Sequence, residues 1–167
     1  KEMCVFSMLG TIMFLSKLIM EFLPNVHMVA TLIIVYTIVY RVKALIPLYI
    51  FVFLTGLYGS FNAWWVPYIY IWAILWGVVM LFPKGLSPRV GAIVFPIVSG
   101  LYGLLFGLLY APAQAIMLGY NLQETLAWIA AGLYFDISHT VGNLVLGFLI
   151  YPLVKLLTRL SRQIGII

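Results

Sequence analysis

Asp136, His139 and Asn143 are spaced by three and four residues inside an otherwise apolar stretch. On a helix that spacing puts a carboxylate, an imidazole and an amide on one face. Such a set can hold a ligand by hydrogen bonds or contribute to a hydrolytic relay. A relay also needs a nucleophile, and the nearest hydroxyl, Ser138, falls on a different face. Other polar residues that could join them are Lys17 and Glu21, four apart, then Asn25, His27, Asn62 and Gln114. The single cysteine, Cys4, excludes an internal disulfide and a Cys-rich metal site, and reads as a small helix-packing residue. No Gly-x-x-x-x-Gly-Lys-[Ser/Thr] and no His-Glu-x-x-His occurs. These features predict a binding protein with no catalytic residues, resident metal or cofactor. Active transport by such a chain would draw its energy from partners.

Composition says what must position these groups. Of 167 residues, 65% are hydrophobic and only 8% charged, against about 25% charged in soluble domains. That leaves too little polar surface to coat a soluble fold, so lipid is expected to be the solvent for most of the outer face. The apolar runs are continuous rather than alternating, which selects helices over a β-barrel. At roughly 20 residues per crossing, the chain has room for about six spans in one transmembrane domain, residues 1–167. The expected spans are Met3–Phe22 (closed by Pro24), Asn25–Tyr40, Ala44–Phe61, Trp64–Phe82, Val90–Tyr110, and a sixth ending near Arg159. The first carries Lys17 and Glu21 and no small-residue cleavage site, so it reads as a retained helix.

Charge sets the orientation. Lys1, Arg41 and Lys43, Lys84 and Arg89, and Lys155, Arg159 and Arg162 all fall on one side of a six-span bundle. By the positive-inside bias that side, with both termini, is cytoplasmic. The net charge of +5 is then a topology signal and not a nucleic-acid surface. Counting about 20 residues from the basic ends puts the outer end of span five near Leu109 and that of span six near Phe135. The segment Ala111–Tyr134 is left over as a short outer helix or cap.

With that ruler the polar groups gather in the outer half, implying an outward-facing cavity. Trp64, Trp65, Tyr68, Tyr70 and Trp72 crowd the outer start of span four, and Tyr110 and Gln114 sit at the outer end of span five. Pockets of this kind are apolar and aromatic with a few placed polar groups. The expected binding residues are Asn25, His27, Asn62, Trp64, Trp65, Tyr68, Tyr110, Gln114, Asp136, His139 and Asn143. Gly100, Gly103 and Gly107 form a smooth stripe suited to close helix approach. Ser7, Gly10 and Thr11 make a small-residue patch on the first helix, open either to packing or to docking of another membrane subunit.

Three stretches carry a family resemblance: MEFLPNVHMVATLIIVYTIVYRVKALI from Met20, GSFNAWWVPYIYIW from Gly59 and YFDISHTVGN from Tyr134. They resemble the S-components of energy-coupling factor vitamin transporters, most closely the cobalamin-specific branch, and the likeness covers nearly the whole chain. The resemblance implies a substrate-capturing subunit in a bacterial cell membrane. It would take a vitamin from outside and work with a transmembrane coupling subunit and two cytoplasmic ATPases. It also implies docking through the first helix, where Ser7-x-x-x-Thr11 stands in place of the family's paired alanines. Cobalamin is the first expectation, and pantothenate, folate or thiamine are alternatives. A competing reading is a membrane anchor binding haem between His27 and His139. A free-standing channel would need polar groups through the whole depth of the bundle, and the inner half lacks them.

Overall fold

The computed structural model describes residues 1–23, 25–84 and 86–167. The expected close of the first span at Pro24, and Gly85 in the loop before span five, lie outside the described residues. Among the described residues the regular structure is entirely helical: α1 Glu2–Ile19, α2 Val29–Tyr40, a 3-10 turn Arg41–Ala44, α3 Leu45–Gly59, α4 Tyr68–Met80, α5 Pro88–Leu104, α6 Phe106–Leu118, α7 Leu122–Gly147 and α8 Ile150–Gln163. A helix satisfies its own backbone polar groups, which is what an apolar chain without water to bond requires.

Among the described residues three helical stretches are long and apolar enough to cross a membrane: Glu2–Ile19, Val29–Gly59 and Pro88–Leu118. A fourth is added if α7 and α8, which meet at a 52° bend, count as one broken span. α4 is apolar but only 13 residues long.

Contacts give the direction of each segment. Phe6 meets the ring of Tyr40 at 5.1 Å and the Tyr36 hydroxyl donates to the Leu9 carbonyl, so α1 and α2 are antiparallel. Lys43 pairs with Glu2 at 2.6 Å, Gly10 packs on Pro47 and Ile50, and Phe14 meets Tyr58, so α1 and α3 run in the same direction. The helical stretch Val29–Gly59 therefore reverses at Arg41, whose φ is 55°. Arg41 is held there by use of its side chain. Its guanidinium donates to the Met80 and Phe82 carbonyls at the end of α4, where a cation complements the helix dipole. α4 returns beside α3, with Trp65 Nε1 donating to the Val52 carbonyl. α5 then runs back along α4, as Phe82–Phe95 and the Tyr102 bond to the Ile71 carbonyl show.

The closest seam lies between α5 and α7. A Cβ on Gly100 would meet Leu144, and one on Gly103 would lie 2.8 Å from the His139 backbone. Gly147 likewise faces Pro96. The glycine stripe thus admits a whole helix, as its smoothness implies. Asn143 Nδ2 donates to the Ser99 carbonyl across this seam at 3.0 Å.

Several expected boundaries shift. The fifth span does not stop at Tyr110: helix continues to Leu118 with Pro112 inside it, since proline is tolerated where neighbours re-satisfy the freed groups. Trp64 and Trp65 precede α4 rather than open it, because Pro67 starts the helix. The segment Ala111–Tyr134 is not a separate helix. It is the tip of a hairpin, closed by Gly119 at φ 70° and by a capping box in which Asn121 and Glu124 exchange bonds at 2.8 and 3.0 Å. The ruler for span six was laid from Lys155, beyond the bend. Laid from Gly147, where α7 ends, about 20 residues reach Ala127 instead of Phe135. Cys4 is exposed on α1 rather than packed. Of the docking patch, Gly10 is covered by α3, whereas Ser7 and Thr11 are exposed on the bundle's outer face, with Thr11 Oγ1 bonded to the Ser7 carbonyl.

Candidate functional site

At the end of the bundle away from Arg41 and Lys43, the loop before α2, the turn before α4, and helices α6 and α7 enclose a two-lobed cavity. The larger lobe holds about 360 Å³ and is lined by Asn25, Trp64, Phe106, Gly107, Tyr110, Trp128, Ala131, Gly132, Phe135, Asp136 and His139. The smaller, about 280 Å³, adds Lys17, Glu21, His27 and Tyr68. Asn25, Trp64, Phe106, Tyr110 and His139 line both lobes and form the partition.

Each wall is held by an identifiable contact. The Tyr110 hydroxyl donates to the Trp64 carbonyl, tying α6 to the turn before α4. Tyr110 also stacks on Trp128 of α7, with centroids 6.1 Å apart and planes 17° apart. Trp64 remains 66% exposed and stands at the rim. Lys17 Nζ lies 5.9 Å from the centroid of the Tyr68 ring, an attraction between cation and ring face. The only ion pair among the described residues is Lys43–Glu2, so Lys17 and Glu21 do not close a direct bridge.

Asp136 has a structural partner. α5 ends at Leu104 and α6 opens at Phe106, which frees backbone N–H groups at the break. Asp136 Oδ1 accepts from the Gly107 N–H at 2.9 Å. The carboxylate therefore caps the start of α6, where the helix dipole favours negative charge. A Cβ at position 107 would collide with that carboxylate, so glycine makes the contact possible.

His139 and His27 face each other with Nε2 atoms 3.4 Å apart and rings 67° from parallel. Phe106 lies 4.7 Å from the His139 ring, and Trp72 closes on His27. Both Nδ1 atoms are buried without a partner. For His27, which lies in the loop before α2, burial is the main force holding the imidazole below the usual histidine range. The neighbouring His139 and Lys17 push the same way. A haem between these rings needs two metal–nitrogen bonds of about 2 Å in line and a slot for a macrocycle. The 3.4 Å separation and the enclosing Phe106 and Trp72 leave neither. Among the described residues no cluster of three or more His, Cys, Asp or Glu side chains is placed to hold a metal ion.

Of the residues singled out in the sequence, the structure brings together Asn25, His27, Trp64, Tyr68, Tyr110, Asp136 and His139. It places four off the cavity wall. Asn62 is exposed and closes a turn, donating to Gly59 and accepting from Trp64. Trp65 packs against Phe61 and faces Gly56. Asn143 serves the α5–α7 seam. Gln114 is buried, with Nε2 lacking a partner. The wall also uses Phe106, Trp128, Ala131, Gly132 and Phe135, which residue chemistry did not single out. For Trp128 and Gly132 the signal was the face itself: continued towards the N-terminus at helical spacing, the stripe through Asp136 and His139 runs through both.

Comparison with protein-family models, with curated proteins and with solved structures finds no match for this chain.

Proposed function

We propose that this chain is the substrate-capturing subunit of a vitamin uptake system of the energy-coupling factor type. In this reading α1, α2, α3, α4, α5–α6 and α7 each cross the bacterial cell membrane, making six spans with both termini cytoplasmic. The thin segments α2 and α4 are accommodated by local bilayer adjustment. The supporting observation is a polarity of the bundle. Arg41, Lys43, Lys84, Arg89 and the basic residues of α8 sit at one end, and the aromatic cavity sits at the other. An outward cavity closed towards the cytoplasm captures a solute but offers it no continuous path. Onward transfer then falls to a coupling subunit and two ATPases, with Ser7 and Thr11 on the face presented to the coupling subunit.

The cavity volume bears on which vitamin. The two lobes, of about 360 and 280 Å³, together lie within the range that encloses a drug-sized molecule, roughly 300–1,000 Å³. That favours a ligand on the scale of thiamine or pantothenate over cobalamin, whose macrocycle would force the α6–α7 tip and the Trp64 turn apart. The test is a calorimetric screen of cobalamin, thiamine, pantothenate and folate on the detergent-solubilised protein without nucleotide. Tight binding of one vitamin, with no accumulation in vesicles containing this chain alone, is expected. Unaided accumulation would refute the reading.

A further inference from the structure

The four acidic residues of the chain are Glu2, Glu21, Glu124 and Asp136. Glu2 pairs with Lys43, Glu124 closes the capping box of α7, Asp136 caps α6, and Glu21 lines the small lobe of the cavity. None is left for α8. Yet α8 carries Lys155, Arg159 and Arg162 at spacings of four and three, which places them along one face. With Tyr151, Val154 and Thr158 they line an open depression of about 440 Å³. Lys155 Nζ is anchored over the Tyr151 ring at 4.8 Å from its centroid.

Two further features distinguish this face from a plain topology signal, which needs cations at the inner end but no particular arrangement. First, α8 turns 52° away from α7 and is fixed there by a 2.5 Å bond between the Tyr40 hydroxyl and Ser161 Oγ. Second, Leu149, Leu156 and Leu160 are exposed on the flank beside the cations. A helix with a basic stripe next to a leucine stripe lies in a membrane interface, with the leucines among acyl chains and the cations at the phosphates. We propose that α8 is a binding site for an anionic phospholipid. The headgroup phosphate sits among Lys155, Arg159 and Arg162, and the acyl chains lie along Leu156 and Leu160. The counter-charge missing from the chain is thus supplied by the bilayer, independently of which solute the cavity holds.

The test uses the full chain in nanodiscs of phosphatidylcholine with or without phosphatidylglycerol, with bound lipid counted by native mass spectrometry. Wild type should retain phosphatidylglycerol over phosphatidylcholine. Lys155→Gln/Arg159→Gln/Arg162→Gln should lose that preference by roughly 10²-fold, about five-fold per cation near a charged surface. Leu156→Gln keeps the cations and should lower retention without abolishing the preference, which guards against a misfolded triple variant. Inorganic phosphate at equal concentration should not displace the lipid. Equal retention of both lipids, displacement by phosphate alone, or a preference surviving in the triple variant would each overturn the proposal. Binding of poly-glutamate without any lipid preference would also overturn it, and would assign the face to an acidic protein.

Discussion

Asp136→Ala should cost stability first and ligand affinity second, and the structure gives the size of each. The side chain is 5% exposed and its Oδ1 takes the Gly107 N–H at 2.9 Å. A hydrogen bond to a buried charged group is worth about 1.5–3 kcal/mol. Its removal leaves that N–H facing an aromatic wall. For a chain of this length each kcal/mol moves the melting temperature by about 2–4 °C, so Asp136→Ala should melt roughly 3–12 °C below wild type in the same detergent. Asp136→Asn keeps an acceptor oxygen in place and loses only the charge–dipole part, about 0.3–1 kcal/mol, so its drop should be a few degrees at most. The assay is thermal unfolding of the three proteins, with affinity for the proposed ligand measured on each below its transition. If Asp136→Ala melts with wild type while binding collapses, the carboxylate is a ligand contact and not a cap, and the account of the α5–α6 break is wrong.

Gly103→Ala should destabilise by about 1–3 kcal/mol, because its Cβ would lie 2.8 Å from the His139 backbone and α7 must retreat. Gly132→Leu should leave the melting temperature nearly unchanged, since a Cβ there meets nothing within 4 Å. It should nevertheless weaken binding of the proposed ligand by filling the larger lobe, as calorimetry will read. Trp64→Ala, at a rim position 66% exposed, should reduce affinity without lowering the melting temperature. Stability should fall with acidity. His27 has its imidazole held below the ordinary value of 6.5 by burial, so the unfolded chain takes up the proton first. The stabilisation is complete above about pH 6.5 and is lost as pH drops below it. His27→Gln should flatten that dependence between pH 7 and 5, and an unchanged slope would remove His27 as its source.

Much of the frame was legible in the hydropathy and charge pattern. Continuous apolar runs gave helices, the basic residues gave the polarity of the bundle, and Gly100 and Gly103 gave the seam on which α7 packs. What sequence spacing could not give was where each helix stops. Leu118 and Leu122 extend α6 and α7 past the expected boundary because their tip is closed by Gly119 and the Asn121–Glu124 box, a local signal that overrides a fixed span length. The bend after Gly147 was hidden for the opposite reason: no charge marks it, and the next cation, Lys155, already belongs to α8. Side-chain type also concealed role. Asn62 and Asn143 are amides like Asn25, yet one closes a turn and the other bonds a neighbouring helix, and only Asn25 reaches the cavity.

The cavity and the seam are one construction. Glycine at 100 and 103 lets α7 approach α5 at backbone distance, and that approach fixes how deep His139 sits against His27 and Phe106. One turn further along, the break at Leu105 frees the Gly107 N–H, and Asp136, one turn before His139, reaches it. A shift of α7 along the seam therefore cannot relieve one contact without breaking the other. Cavity shape is for that reason set jointly by packing along the seam and by the Asp136–Gly107 and Tyr110–Trp64 bonds within the lining. It follows that substitutions at Gly100, which faces Leu144 well away from the cavity, should change ligand affinity through the position of His139, and a Gly100→Ala protein that folds but binds normally would break this link.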